Sequence, residues 1–157
     1  MTIDSEQQAG SWLTDARAGP NGGFQARILD LITYWHGHIG PDGVPDRVSF
    51  SPNGLHPWIG HLSIYQSVDD GDDFTVRLEG TGITQITGED WTGRRISEID
   101  TRFGTQFLGD VKTTLTRRQP SLSHCRVFQR EYKPAERALL PVANRAGQVD
   151  QVFLCLY

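Results

Sequence analysis

The chain has 157 residues, of which 37% are hydrophobic and 22% are charged, as expected for one soluble globular domain large enough to bury a core. Its formal net charge of -4 at pH 7 argues against the basic surface that binds nucleic acid. Two cysteines and the lack of any long apolar stretch predict a cytoplasmic protein without a disulfide framework, an export signal or a membrane span.

The N-terminal part of the sequence divides into a polar arm and an amphipathic helix. Residues 1–23 are polar and end in a run of turn-forming residues, so we predict a flexible arm followed by one domain at 24–157. Apolar residues then recur at helical spacing, and this stripe needs either the outer face of a sheet or a second copy of the chain to cover it. We predict a dimer or partner interface formed by Phe24, Ile28, Leu31, Ile32 and Trp35.

A long loop and a β-hairpin are predicted next. Residues 37–57 are rich in proline and glycine, which indicates a loop. Apolar and polar residues alternate at 61–68 and again from Phe74, as in half-buried strands. The acidic residues between them predict a solvated turn, because the position where a calcium-binding loop needs a glutamate holds Gly80 or Thr81.

The pattern after the second strand changes to helices and then returns to strands. Short helices are predicted at 83–87 and 96–99, and a longer one at 101–118, where apolar residues recur every fourth position. Three strands are predicted at 122–130, 137–143 and 149–157. Such an order gives one antiparallel sheet only if the helices cover one of its faces. The sequence therefore predicts an α+β domain with a pocket between the sheet and the helices.

This element order resembles that of PAS domains, and several segments resemble a bacterial subfamily of short, single-domain PAS proteins. The resemblance implies a five-stranded antiparallel sheet and a non-catalytic sensory or regulatory role, in which a small ligand or a protein partner is bound. Because the sequence shows no kinase or DNA-binding segment, we expect a homodimer that signals to another protein. The similar segments are Leu31-Ile32-Thr33-Tyr34-Trp35, Val44-Pro45-Asp46-Arg47 with Pro52, Phe74-Thr75-Val76-Arg77-Leu78-Glu79-Gly80-Thr81, Gly88-Glu89-Asp90-Trp91-Thr92-Gly93-Arg94 and Arg137-Ala138-Leu139-Leu140-Pro141-Val142-Ala143.

The cofactors that some PAS domains bind are not expected here. Haem-binding members carry a histidine on the long helix, and residues 102–118 contain none. The segment His124-Cys125-Arg126 resembles the reactive-cysteine segment of flavin-binding light sensors, but in those proteins the cysteine precedes the long helix, where this chain has residues 94–96. We therefore interpret Cys125 as a packed residue and expect neither haem nor flavin.

Metal binding is not expected either, although several histidines lie close together in the sequence. Their spacing does not bring two imidazoles onto one helix face, and no cysteine or carboxylate completes a tetrahedral set. Roles at a helix end and in loop hydrogen bonds are favoured instead. These histidines are His36, His38, His56 and His61.

The predicted pocket residues are Tyr65, Arg77, Trp91, Phe107 and His124. Arg77 is the candidate for holding a carboxylate or phosphate, because a guanidinium group forms two parallel hydrogen bonds with such groups. Whether Arg77 points to the helices or to solvent depends on the strand register, since a shift by one residue exchanges the faces. The aromatic side chains suit either the core or a ligand contact.

Two other functions remain open on the sequence. One is a small cone-shaped α+β enzyme of the isomerase or dehydratase type, with Asp90 or Asp100 as the acid and Tyr65 or His124 as its partner. The other is an adaptor without a ligand, in which side chains fill the pocket. A small molecule that copurifies with the protein would favour the sensor.

Overall fold

The computed structural model describes residues 23–127 and 133–157, so the predicted arm lies, except for Gly23, outside the described residues. Its five strands are β1 (Leu62–Val68), β2 (Asp73–Glu79), β3 (Ser121–Val127), β4 (Lys133–Ala143) and β5 (Val149–Leu156). All neighbouring strands pair antiparallel, in the order β2-β1-β5-β4-β3. The predicted α+β fold with a five-stranded antiparallel sheet is confirmed.

Helices cover both faces of the sheet. They are α1 (Ala26–Gly37), α2 (Pro52–Leu55), α3 (Thr81–Thr87), α4 (Ile96–Phe103) and α5 (Phe107–Arg117). Because side chains alternate along a strand, Phe153 packs on the face with α1 and α2, whereas Leu154 packs on the face with α3, α4 and α5. We call these the α1 face and the cavity face. None of the helices in the described part of the chain combines the length and apolar character needed to cross a membrane.

The apolar stripe of α1 is buried against the chain's own sheet. Ile28, Leu31, Ile32 and Trp35 are each at most 1% exposed. The Trp35 indole also donates a hydrogen bond to the backbone oxygen of Pro141 in β4, at 2.8 Å. Of the two partners considered for this stripe, the outer sheet face is the one that covers it. A second copy of the chain would therefore have to use a different surface.

The segment between α1 and β1 is more ordered than the predicted loop. It contains a 3-10 turn at Arg47–Ser49, then α2, and a second 3-10 turn at Ile59–His61. The Ser51 hydroxyl accepts a hydrogen bond from the Gly54 amide and begins α2. Val44, Leu55 and Trp58 extend the core over the α1 face.

The predicted long helix at 101–118 is in fact two helices. α4 ends at Gly104, whose φ of 67° is the left-handed conformation that glycine adopts most readily. The Asp100 carboxylate then accepts hydrogen bonds from the amides of Phe107 at 2.8 Å and Leu108 at 2.9 Å, which begins α5. The apolar repeat extends over the break because Phe103 and Phe107 both pack on the cavity face.

We predict that Ile32→Ala lowers the free energy of unfolding by about 2–5 kcal/mol, because it leaves a cavity beneath α1. The exposed neighbour Thr33 provides the control, and Thr33→Ala should change stability by no more than about 0.5 kcal/mol. Urea denaturation at several protein concentrations is the measurement. A midpoint that rises with protein concentration in the wild type and in Thr33→Ala, but not in Ile32→Ala, would show that the stripe is buried between copies instead.

We also predict that Asp100→Ala costs about 0.5–2 kcal/mol of unfolding free energy, because the first amides of α5 lose their acceptor. Asp72→Ala, at an exposed position in the β1–β2 turn, should be neutral within about 0.5 kcal/mol. Chemical denaturation followed by circular dichroism measures both variants. Equal stability of the two would mean that Asp100 does not support α5.

Candidate functional site

A cavity of about 440 Å³ lies between the sheet and helices α3, α4 and α5. Its walls are mostly aromatic and aliphatic, and a small number of polar groups point into it. The described residues that line it are Tyr65, Glu79, Ile83, Thr87, Trp91, Ile99, Phe103, Gly104, Thr105, Gln106, Phe107, Asp110, Cys125, Arg126, Val127, Arg137, Leu154 and Leu156.

Three of the five predicted pocket residues meet in this cavity. Tyr65 on β1 is 3% exposed, and the Phe107 ring meets it edge to face at a centroid distance of 5.6 Å. Trp91, in the segment between α3 and α4, lies across the cavity from the sheet and is 5% exposed. The pocket between sheet and helices is therefore present, and aromatic rings form much of its wall.

Arg77 lies outside the cavity, because Phe74 and Val76 face the helices and the next side chain in β2 points the other way; a bulge also begins at this position. Ile64 pairs with Leu78, but the next β1 residue, Tyr65, pairs with Val76, so Arg77 is the extra residue. Arg77 and Leu78 are exposed, and the bulge directs Glu79 into the cavity. The predicted ligand contact of Arg77 has no support from this position. The sequence alternates regularly through this strand and carries no signal for the bulge.

His124 also lies away from the cavity. On β3, Cys125 and Val127 pack on the cavity face, whereas Leu122 packs on the α1 face. Side chains alternate along a strand, so His124 points to the same face as Leu122. There its exposed imidazole stacks on the Phe24 ring at a centroid distance of 4.3 Å. His124 therefore helps to hold the start of α1.

Trp91 is held by two glutamates and faces two arginines. Its backbone amide donates a hydrogen bond to the Glu79 carboxylate at 2.7 Å, and its indole donates one to Glu89 at 2.8 Å. The guanidinium carbons of Arg94 and Arg102 lie 5.0 Å and 5.7 Å from the centre of the indole ring. Such cation–π contacts and hydrogen bonds give the indole one preferred orientation at the cavity wall.

The pKa values of the Glu79 carboxyl and the Tyr65 phenol are both raised in the cavity. Burial raises the pKa of Glu79; the Trp91 amide lowers it in part, and the negative charges of Asp90 and Glu89 raise it further. Burial also raises the pKa of the Tyr65 phenol, and the charge of Glu79 adds to this effect. The phenol is therefore a neutral hydrogen-bonding group at neutral pH.

Arg137 provides a largely buried positive charge in the cavity, whereas Arg126, the second arginine among the described lining residues, is exposed. Arg137 lies on β4, and its guanidinium donates hydrogen bonds to Asp110 on α5 at 2.9 Å and to the Ser123 hydroxyl at 3.2 Å. The same group lies 5.3 Å from the centre of the Phe107 ring. Arg137 is not among the pocket residues predicted from the sequence. It lies two residues from each of the buried residues Ala135 and Leu139, and alternation along the strand therefore places it on the cavity face with them.

The described lining lacks two side chains by which known PAS domains hold haem or flavin. Among the described lining residues there is no histidine for haem iron. At 94–96, where flavin-binding light sensors carry their thiol, the chain has Arg94, Arg95 and Ile96. Cys125 does line the cavity, but burial raises the pKa of its thiol and so disfavours the reactive thiolate. No group of three potential metal-binding side chains occurs in the described residues.

The two acids considered for an enzyme are engaged in local hydrogen bonds. Asp90 is exposed and accepts hydrogen bonds from the amide and hydroxyl of Thr92, which lower its pKa. Asp100 is occupied at the start of α5. Neither residue lines the cavity, so neither can transfer a proton to a molecule bound there without a rearrangement.

The raised pKa of Glu79 predicts that Glu79→Gln stabilises the protein at neutral pH. Because the folded-state pKa lies above the ordinary value of 4.5, ionisation costs stability as the pH rises through the folded pKa. Glutamine stays neutral and keeps an acceptor for the Trp91 amide. Urea denaturation from about pH 8 to about pH 4 should therefore show a gain that disappears toward the acidic end.

The control for this measurement is Glu98→Gln. The Glu98 carboxylate is exposed, and its hydrogen bond with Arg94 lowers its pKa, so neutralising it should give no gain at neutral pH. A gain at Glu79 that persists unchanged at low pH would contradict the assignment of a buried, ionised carboxylate.

The chain is similar to several solved structures and to one family model. Solved structures with a similar fold include a light-oxygen-voltage domain studied with a flavin analogue, with 14% identity, a TM-score of 0.49 and coverage of 67% of this chain and 81% of that chain. A second is a sensory box sensor histidine kinase from Vibrio cholerae, with 18% identity, a TM-score of 0.47 and coverage of 61% of this chain and 79% of that chain. A third is the PAS domain of histidine kinase ThkA, with 14% identity, a TM-score of 0.44 and coverage of 60% of this chain and 96% of that chain. No curated protein matches the sequence. The family model described as PAS domain matches residues 25–157, almost the whole described chain, and the chain therefore belongs to the PAS domain family.

Proposed function

We propose that the chain is a non-catalytic sensory module that binds a small, largely apolar molecule in the cavity between the sheet and helices α3, α4 and α5. The observation that carries the proposal is the cavity itself, with a volume of about 440 Å³ and aromatic walls. This volume lies within the range of about 300–1,000 Å³ in which small-molecule sites are found. Membership of the PAS family supports a role in signal transduction.

The signal leaves the cavity through the sheet. On β5, Leu154 and Leu156 line the cavity, whereas the alternate residues Phe153 and Cys155 pack beneath α1. A ligand that displaces the leucines moves the backbone of β5, and the same movement changes the packing under α1. Because close-packed cores respond to sub-ångström shifts, ligand binding alters the position of α1 and the surface that a partner protein contacts.

The cavity favours a ligand-binding sensor over a ligand-free adaptor, because side chains leave it open instead of filling it. A partner, whether a second copy or another signalling protein, would contact a surface other than the buried stripe of α1. The thiols of Cys125 and Cys155 are both free, which suits a reducing compartment, and we propose a cytoplasmic location.

We expect Ile99→Trp to block ligand binding, because Ile99 is half-buried on α4 and its larger replacement would occupy the cavity. The probe is N-phenyl-1-naphthylamine, a neutral aromatic dye whose fluorescence rises in apolar surroundings. Titration should show binding to the wild type and at least about a tenfold weaker affinity for the variant, a difference of about 1.4 kcal/mol.

The control variant is Leu78→Trp, which adds the same side chain at an exposed position on β2. It should bind the dye as the wild type does. Native mass spectrometry of freshly purified protein provides an independent test, in which a copurified small molecule supports the sensor. Equal dye affinity in wild type and Ile99→Trp would refute binding in this cavity.

A further inference from the structure

We infer that the ligand of this cavity is an aromatic molecule with a single anionic group, and that Arg137 binds this group in place of Asp110. The inference rests on the proposed binding function. It adds the chemical class of the ligand and identifies Arg137 as the residue that selects it.

The location of Arg137 brings a permanent positive charge to an apolar cavity. Its side chain is 16% exposed, and its β4 neighbours on the same face, Ala135 and Leu139, belong to the core. A guanidinium group stays protonated at all relevant pH values. A charge removed from water in this way needs an anionic partner.

The partner within the chain satisfies this charge only in part. Asp110 accepts one hydrogen bond from Nη2 of Arg137, and the Ser123 hydroxyl accepts one from Nε. Within the described residues, Nη1 makes no hydrogen bond. When Asp110 releases Nη2, the guanidinium edge formed by Nη1 and Nη2 can donate to a two-point acceptor such as a carboxylate or sulfonate.

The exposed position of Asp110 allows it to be exchanged for a ligand. Its side chain is 55% exposed, so its ion pair with Arg137 is weakened by water and its carboxylate is hydrated again on release. A hydrogen bond to a charged group is stronger in a site shielded from water. A ligand anion inside the cavity therefore competes successfully with Asp110.

The rest of the lining favours an aromatic body and disfavours a second negative charge near Glu79. Glu79 is the other carboxyl group in the cavity besides Asp110, and its charge would repel a second anionic group. The rings of Trp91, Phe103 and Phe107 provide the surfaces for stacking. Because Phe107 also lies beneath the guanidinium, the anionic group and the aromatic body bind side by side.

Two dyes that differ by one sulfonate group test this inference. They are 1-anilinonaphthalene-8-sulfonate, which carries one sulfonate, and its neutral parent N-phenyl-1-naphthylamine. Arg137→Gln should weaken binding of the sulfonate on the order of 10- to 100-fold, and change binding of the neutral dye by less than about threefold. Asp110→Asn removes the competitor and should strengthen sulfonate binding several-fold without changing the neutral dye.

Control variants separate this effect from surface binding and from misfolding. Arg117→Gln removes an exposed charge from the end of α5 and should change neither affinity, whereas Ile99→Trp should weaken both. If Arg137→Gln unfolds, Asp110→Asn at its exposed position still provides the test. Unchanged sulfonate affinity in folded variants, or an equal loss of both dyes in Arg137→Gln, overturns the inference about charge. Failure of both dyes to bind the wild type overturns the proposed function as well.

Discussion

The central constraint on this protein is a sheet that is buried on both faces. From Gln151 to Leu156, every residue of β5 is buried, so its alternating side chains must supply two different cores. Phe153 and Cys155 pack beneath α1, and the alternate residues Leu154 and Leu156 form the floor of the cavity. The position of α1, the shape of the cavity and the route between them all depend on this one strand and its neighbour β4.

The open volume depends on the break between α4 and α5. Gly104, Thr105 and Gln106 connect the two helices and line the cavity, while Asp100 fixes the direction in which the chain continues. The turn allows Phe103 to pack against Trp91 and Phe107 to pack against Tyr65. The aromatic residues therefore surround the space instead of filling it, which is what a binding site requires.

The polar groups of the cavity divide its chemistry into separate regions. Glu79 and Arg137 carry opposite formal charges, and both act on the Tyr65 phenol, which Glu79 makes less acidic and Arg137 more acidic. Arg137 is paired with a partly exposed acid on a neighbouring helix, whereas Glu79 receives a hydrogen bond from the Trp91 backbone. A ligand of the proposed kind would therefore take one preferred orientation, because its anionic group would be attracted at Arg137 and repelled at Glu79.

The sequence by itself determined the order of the elements, the five-stranded antiparallel sheet and the apolar stripe of α1, because the periodicity of apolar residues reports directly on local structure. It also placed Tyr65, Trp91 and Phe107 around a pocket. Only the tertiary structure decided that the stripe covers the chain's own sheet, since an apolar face does not specify its partner. The faces of β2 and β3 likewise depend on pairing between distant strands, which excludes Arg77 and His124 from the cavity. The bulge after Val76 then brings Glu79 into the cavity, and the pairing of β4 brings Arg137.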